Sequence, residues 1–220
     1  SKASGALPIL NTNSGGTVAF PGLRSDPLAS SIIFATTFSD SSVVATDVHH
    51  LVKGSGSAKS ITISGAVNSN AHDNFYGRSG SVYFDGSNDY MTVPDNDDWN
   101  YGSGDFCIEC WVKPTNLSGS RRIISHDEND DNPDSSWIFR TDGDKLNFYF
   151  QCNGSSSRIY LNNGVRPLST NQWYHVAVTR QGSTFRTFIN GLIDQTGTFS
   201  GTMLNLSLIH ISEPTRPVTI

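Results

Sequence analysis

Apolar and polar side chains alternate with a period of two through most of this chain, and Asx-Gly pairs break the pattern at short intervals. In residues 106–112, Phe106, Ile108, Cys110 and Val112 share one face, while Cys107, Glu109 and Trp111 share the other. Successive side chains of a β-strand point to opposite faces, so this spacing predicts a strand. Similar runs predict short strands at 31–38, 60–64, 121–125, 136–141, 145–152, 158–161, 185–189 and 192–195. Asp142-Gly-Asp144, Asn153-Gly154 and Asn190-Gly191 mark the turns between them, because Asn, Asp and Gly tolerate the positive φ of tight hairpins. Asn190-Gly191 is the plainest of these hairpins. No heptad or internal repeat competes with this pattern, and few helices are expected.

Composition narrows the functional classes. The 220 residues suffice for one large all-β unit around a single core. Twenty glycines, 10% aromatic residues and only 16% charged residues suit strands joined by many loops. The net charge is −5, with Asp concentrated in the expected loops, and no Lys/Arg stripe offers phosphate neutralisation; nucleic acid is therefore excluded as a partner. No run approaches the ~20 apolar residues that a helical membrane crossing requires, so no membrane insertion is expected. Cys107, Cys110 and Cys152 are too few and odd in number for a disulfide framework. Cys107 and Cys110 fall on opposite strand faces and cannot bond to each other. Burial as small apolar residues is the expected role of the three.

Four phrases occur in fixed order: Ser81-Val-Tyr-Phe-Asp-Gly-Ser-Asn-Asp-Tyr-Met-Thr-Val93, Asp105-Phe-Cys-Ile-Glu-Cys-Trp-Val-Lys-Pro114, Trp173-Tyr-His-Val-Ala-Val-Thr-Arg180 and Phe188-Ile-Asn-Gly-Leu-Ile-Asp194. Together they resemble the laminin-G-like branch of the concanavalin A-like lectin and glucanase superfamily. The resemblance implies an antiparallel jelly-roll β-sandwich over residues 30–205, a fold used for adhesion and glycan binding. It also implies a core or inter-sheet position for Trp111, a structural hydrogen-bonded role for His175, and a hydrogen bond at the sheet surface for Glu109. Residues 1–29, rich in Gly, Ser, Asn and Pro, form a linker or the end of a preceding module. Within them, Gly5-Ala-Leu-Pro-Ile-Leu-Asn-Thr12 and Arg24-Ser-Asp26 are similar to segments of marine bacteriophage structural proteins. With Ser1 in place of Met, an internal fragment of a longer protein is expected.

The last residues resemble something other than a protein. Leu206-Ser-Leu-Ile-His-Ile-Ser-Glu-Pro-Thr-Arg216 is similar to a translated adapter of a transposase-based sequencing library, and Pro217 to Ile220 fit its continuation. Residues 206–220 are accordingly set aside as an adapter-derived tail. The competing reading is a genuine terminal strand, since Leu206, Leu208, Ile209 and Ile211 are apolar. A sandwich ending at Asn205 lacks one or two strands and exposes unpaired edges, a recognised route to aggregation.

Catalysis is poorly supplied. Retaining glycoside hydrolysis needs two carboxyl groups about 5 Å apart, whereas Glu109 sits in Cys107-Ile-Glu-Cys-Trp111 without a carboxylate at strand spacing. No Gly-x-Ser-x-Gly elbow or phosphate loop occurs. Calcium is the better-supplied chemistry, because this hard cation takes six to eight oxygens from Asp- and Asn-dense loops. His126-Asp-Glu-Asn-Asp-Asp-Asn-Pro-Asp134 and Asp95-Asn-Asp-Asp98 are such segments. Asp127, Asp130 and Asp131 are the candidate ligands, against the alternative of solvated acidic loops. His49 and His50 lack a third ligand and are expected in a solvated loop. For a glycan, Trp99, Tyr101 and Trp137 are the candidate aromatic platform, with core packing as the competing role. Three functions follow: a non-catalytic module of a virion or extracellular protein that binds a glycan or cell-surface receptor, for example in a tail fibre; a spacer contacting other virion subunits; and a glycoside hydrolase acting through Glu109.

Overall fold

A computed structural model describes residues 28–38, 45–65, 67–68, 81–126, 136–151, 158–203, 208–212 and 218–219. Its strands, in chain order, are β1 (Thr36–Phe38), β2 (Ala45–Asp47), β3 (Thr62–Ser64), β4 (Val67–Asn68), β5 (Val82–Tyr83), β6 (Tyr90–Pro94), β7 (Phe106–Pro114) and β8 (Ser120–His126). They continue with β9 (Trp137–Asp142), β10 (Lys145–Gln151), β11 (Arg158–Leu161), β12 (Tyr174–Gln181), β13 (Thr184–Ile189), β14 (Leu192–Thr198), β15 (Leu208–Ser212) and β16 (Val218–Thr219). The first sheet runs β11-β10-β9-β8-β15-β6-β3, the second β14-β13-β12-β7-β16-β5-β4, and β1 and β2 form a small ribbon. All these pairings are antiparallel. The expected all-β sandwich is the observed fold.

The core follows directly from the alternation. Val112 of β7, Val176 and Val178 of β12, and Phe185 and Ile189 of β13 face Trp137 and Phe139 of β9 and Leu146, Phe148 and Phe150 of β10 within one buried cluster. Phe185 stacks on Phe150 at 4.7 Å between ring centres, 13° from parallel, and ties one sheet to the other. Burial of each such side chain contributes about 1.5–3 kcal/mol. At the β13–β14 turn, Asn190 and Gly191 have φ of 51° and 76°, the succession of positive values that a two-residue hairpin requires.

Three expectations change near the ends of the sandwich. The strand expected at 31–38 is only β1, preceded by a single 3-10 turn at Ala29–Ser31. Side chains satisfy the intervening backbone instead of a ladder: Lys59 Nζ donates to the Ile33 carbonyl at 2.7 Å, and Ala35 N donates to Asp47 Oδ1 at 3.2 Å. His49 and His50 lie not in a solvated loop but in a short helix, α1 (His49–Lys53), with His49 buried. The cause is Asp47, itself buried, which accepts His49 N at 3.0 Å and His49 Nδ1 at 2.7 Å. Beyond residue 205, β15 inserts between β8 and β6, and β16 between β7 and β5. The edges expected to stand open after Asn205 are therefore paired. Ladder bonds are made by the backbone, so any proline-free extended segment can fill such a slot whatever its origin.

Candidate ligand-binding site

The second sheet presents its other face to solvent, and register determines what gathers there. Across β7 and β12, Trp111 lies opposite His175 and Glu109 opposite Ala177. Across β12, β13 and β14, Ala177 is followed by Phe188 and then Ile193. Trp111 is thus half-exposed on the solvent face, a correction to the core position expected for it. Its strand neighbours Val112 and Cys110 face inward, and period two leaves Trp111 no other direction.

Trp111, Trp173, His175 and Asn190 line an open recess of about 420 Å³ on this face. The Trp111 and His175 rings are 5.3 Å apart, tilted by 57°. His175 Nε2 lies 3.3 Å from Glu109 Oε2, and the two side chains are 27% and 61% exposed. His175 and Glu109 therefore meet as a surface pair across the strands rather than through the side-chain hydrogen bonds expected of them, and the hydrogen bonds of His175 run through its backbone. The β13–β14 turn braces the recess: His175 N donates to Asn190 Oδ1 at 2.9 Å, and Asn190 N donates to the His175 carbonyl at 2.8 Å. Trp173 Nε1 is shielded from solvent and has no hydrogen-bond partner. An unmet buried donor costs about 1–3 kcal/mol.

The residues singled out from sequence lie elsewhere. Trp99 and Trp137 are 4% and 1% exposed and belong to the core. Tyr101 stacks between Phe106 at 4.7 Å and Trp137 at 5.9 Å, and burial, ahead of nearby negative charge, pushes its hydroxyl pKa up. The structure brings Tyr101 and Trp137 together, but as packing between the sheets. Trp99 meets Phe34 edge-on at 5.7 Å and donates Nε1 to the Pro94 carbonyl at 3.2 Å.

Asp127, Asp130 and Asp131 lie outside the described residues. In the other acidic segment, Asn96 Oδ1 accepts from Asp98 N at 3.0 Å and Asp98 Oδ2 pairs with Lys59 Nζ at 2.7 Å, so these groups cap and fasten a 3-10 turn. Among the described residues no group of three or more His, Cys, Asp or Glu side chains is placed to hold a metal ion. Burial first, and then the charge of Glu109, push the Cys110 thiol up to about 12, which makes it inert at neutral pH. Trp173 and Asn190 had not been singled out as site residues. The visible signal was the placement of Trp111 on the strand face opposite Ile108 and Val112.

Comparison with known proteins agrees with this architecture. Residues 85–211 match a laminin-G family described as concanavalin A-like lectin/glucanases superfamily. No curated protein matches the sequence. The receptor-binding domain of botulinum neurotoxin D superimposes with a TM-score of 0.63 at 14% identity, covering 87% of this chain and 48% of that one. The receptor-binding domain of the C/D mosaic serotype gives 0.61 at 15% identity, covering 84% and 45%. The binding domain of botulinum neurotoxin DC, in complex with SialylT, gives 0.60 at 16% identity, covering 84% and 45%. This chain spans about half the length of those structures. No helix among the described residues is long and apolar enough to cross a membrane.

Proposed function

Because this chain belongs to the concanavalin A-like lectin/glucanases superfamily, we propose that it is a non-catalytic binding module, recognising a carbohydrate or cell-surface receptor for a larger virion or extracellular protein. The observation that carries this reading is the recess of Trp111, Trp173, His175 and Asn190, with two indoles among its lining. Aromatic faces match the apolar side of a sugar ring, and a few placed polar groups select its hydroxyls. The superimposed binding domain in complex with SialylT lends support at the level of fold. A binding role also fits the carboxylates: Glu109 is the glutamate among the described residues, and its ion-pair partner is His175 rather than a second acid. Calcium at Asp127, Asp130 and Asp131 is a separate element of the proposal.

A glycan array with the full chain, followed by calorimetric titration of the hits and of Ca²⁺, tests this reading. Binding that weakens about tenfold or more in Trp173→Ala, the equivalent of about 1.4 kcal/mol, supports the recess. Silence on both the array and the titrations favours a spacer without a ligand. Polysaccharide cleavage abolished by Glu109→Gln would replace binding with hydrolysis.

A further inference from the structure

Register orders the solvent face of the second sheet into rows, and side-chain size turns those rows into a groove. The first row is the recess itself, with Trp111 opposite His175 and Asn190 beyond it at the turn. The second row is Glu109, Ala177, Phe188 and Ile193 across β7, β12, β13 and β14. The third is Cys107, Thr179, Arg186 and Thr196 on the same strands. Past His175, β12 therefore gives this face only the small side chains of Ala177 and Thr179, while β13 gives Phe188 and Arg186, and β7 gives Glu109. Ala177 is 5% exposed because it lies low between Glu109 and Phe188, whereas Ile193 is 51% exposed and the Glu109 side chain 61% exposed. The second row thus has its floor on β12, walls on the flanking strands, and an opening to solvent. Two residues of a strand advance about 6.6 Å, so the rows together span about 13 Å.

The groove combines the two kinds of contact that a sugar chain requires. Phe188 and Ile193 supply apolar surface in the second row, where the less polar face of a pyranose ring can rest. Glu109 Oε2 stands 3.3 Å from His175 Nε2, which places its carboxylate at the junction of the first and second rows. There it accepts from sugar hydroxyls and repels an acidic substituent. In the third row the Arg186 guanidinium and the hydroxyls of Thr179 and Thr196 offer donors to ring and hydroxyl oxygens. A charged side chain in the middle of the strip argues against a protein partner, since the centres of protein interfaces are depleted of charge. One sugar ring fills the recess alone, and only a chain reaches the third row.

We propose that this groove binds a linear, uncharged oligosaccharide, one ring in the tryptophan recess and the following rings along β12. The inference rests on the recess as a glycan site and adds the length, direction and charge of its ligand. It is tested by calorimetric titration of the full chain with the disaccharide and the hexasaccharide of β-glucan, xylan and mannan series, and with an oligogalacturonate of the hexasaccharide's length. In at least one neutral series the hexasaccharide should bind about tenfold or more tighter than the disaccharide, a gain of about 1.4 kcal/mol, and the oligogalacturonate should bind more weakly than that hexasaccharide. Phe188→Ala should remove most of the difference between long and short chains. Ile193→Ser, at an exposed position where folding is not at stake, should reduce it, and Ala177→Leu, which fills the floor, should abolish it. Tyr160→Ala, an exposed change on the first sheet, should leave it intact. Equal affinity for disaccharide and hexasaccharide, an oligogalacturonate that binds more tightly than every neutral hexasaccharide, or full length dependence in a folded Phe188→Ala variant would each overturn the groove and leave the recess standing. Absence of binding by every sugar, short or long, would remove the recess and the groove together.

Discussion

Replacing Arg180 with methionine removes a clamp that joins three parts of the second sheet's rim. Arg180 is 3% exposed, and its guanidinium donates Nε to the Gly182 carbonyl at 2.9 Å, Nη1 to Gly102 at 2.9 Å and Nη2 to Gly201 at 2.8 Å. It also lies 5.1 Å from the centre of the core ring Phe185. Hydrogen bonds to charged groups contribute about 1.5–3 kcal/mol each. Relief of the guanidinium's desolvation takes back several kcal/mol of that sum, and the apolar methionine keeps the stem packing, which leaves a net loss of about 3 kcal/mol. Against the 5–15 kcal/mol typical of whole domains, that is a substantial fraction. Lysine should recover little, because an ammonium lacks the planar fork that reaches three carbonyls at once. Urea unfolding followed by tryptophan fluorescence measures the change. With a slope of about 2–3 kcal/mol/M, the midpoint should fall by about 1–1.5 M at unchanged slope. An Arg180→Met protein within about 0.5 kcal/mol of the parent would refute the clamp.

Asp47 should make stability acid-sensitive. Burial alone would raise its pKa, but N–H donors from Lys59, His49 and Ala35 and the His49 ring outweigh burial and hold it below the ordinary 3.8. A depressed native pKa stabilises the fold above 3.8, and that contribution is lost as pH falls through the lower native value. Below about pH 4 the parent's urea midpoint should therefore drop more steeply than that of Asp47→Asn, and parallel pH profiles would contradict the hydrogen-bond hub. Gly164→Ala should cost about 1–3 kcal/mol in the same unfolding assay, because its Cβ would collide with Oδ2 of the buried Asp194. Gly191→Val, at φ 76°, should cost about 1–2 kcal/mol and, by displacing Asn190 from His175, weaken any ligand of the tryptophan recess; unchanged affinity would separate the turn from the site.

Alternation and Asx-Gly turns were enough to locate β7 to β11, β13 and β14 to within a few residues, with β12 marked by the family phrase, and to place Ile108, Cys110 and Val112 together on one face of β7. Those properties are local: strand period and turn dihedrals depend on neighbouring residues alone. The aromatic candidates show where this kind of inference stops. Trp99 and Trp137 looked like a sugar platform because they stood beside acidic loops, yet both are core residues, while Trp111 and Trp173 open onto solvent. Alternation separates the two faces of a strand but does not say which side of a tryptophan-bearing face the second sheet will cover.

The amino-acid order by itself determined an all-β sandwich, the division of its strands into two faces and the hairpin at Asn190-Gly191. Tertiary structure alone decided that β15 and β16 fill slots inside both sheets, that Asp47 draws His49 into the interior, that Trp111 and Trp173 share a recess, and that Ala177 lies between Glu109 and Phe188. Each of these depends on which distant segments become neighbours. That choice is made by backbone ladders and the burial of whole faces, to which any short stretch of sequence contributes only a part.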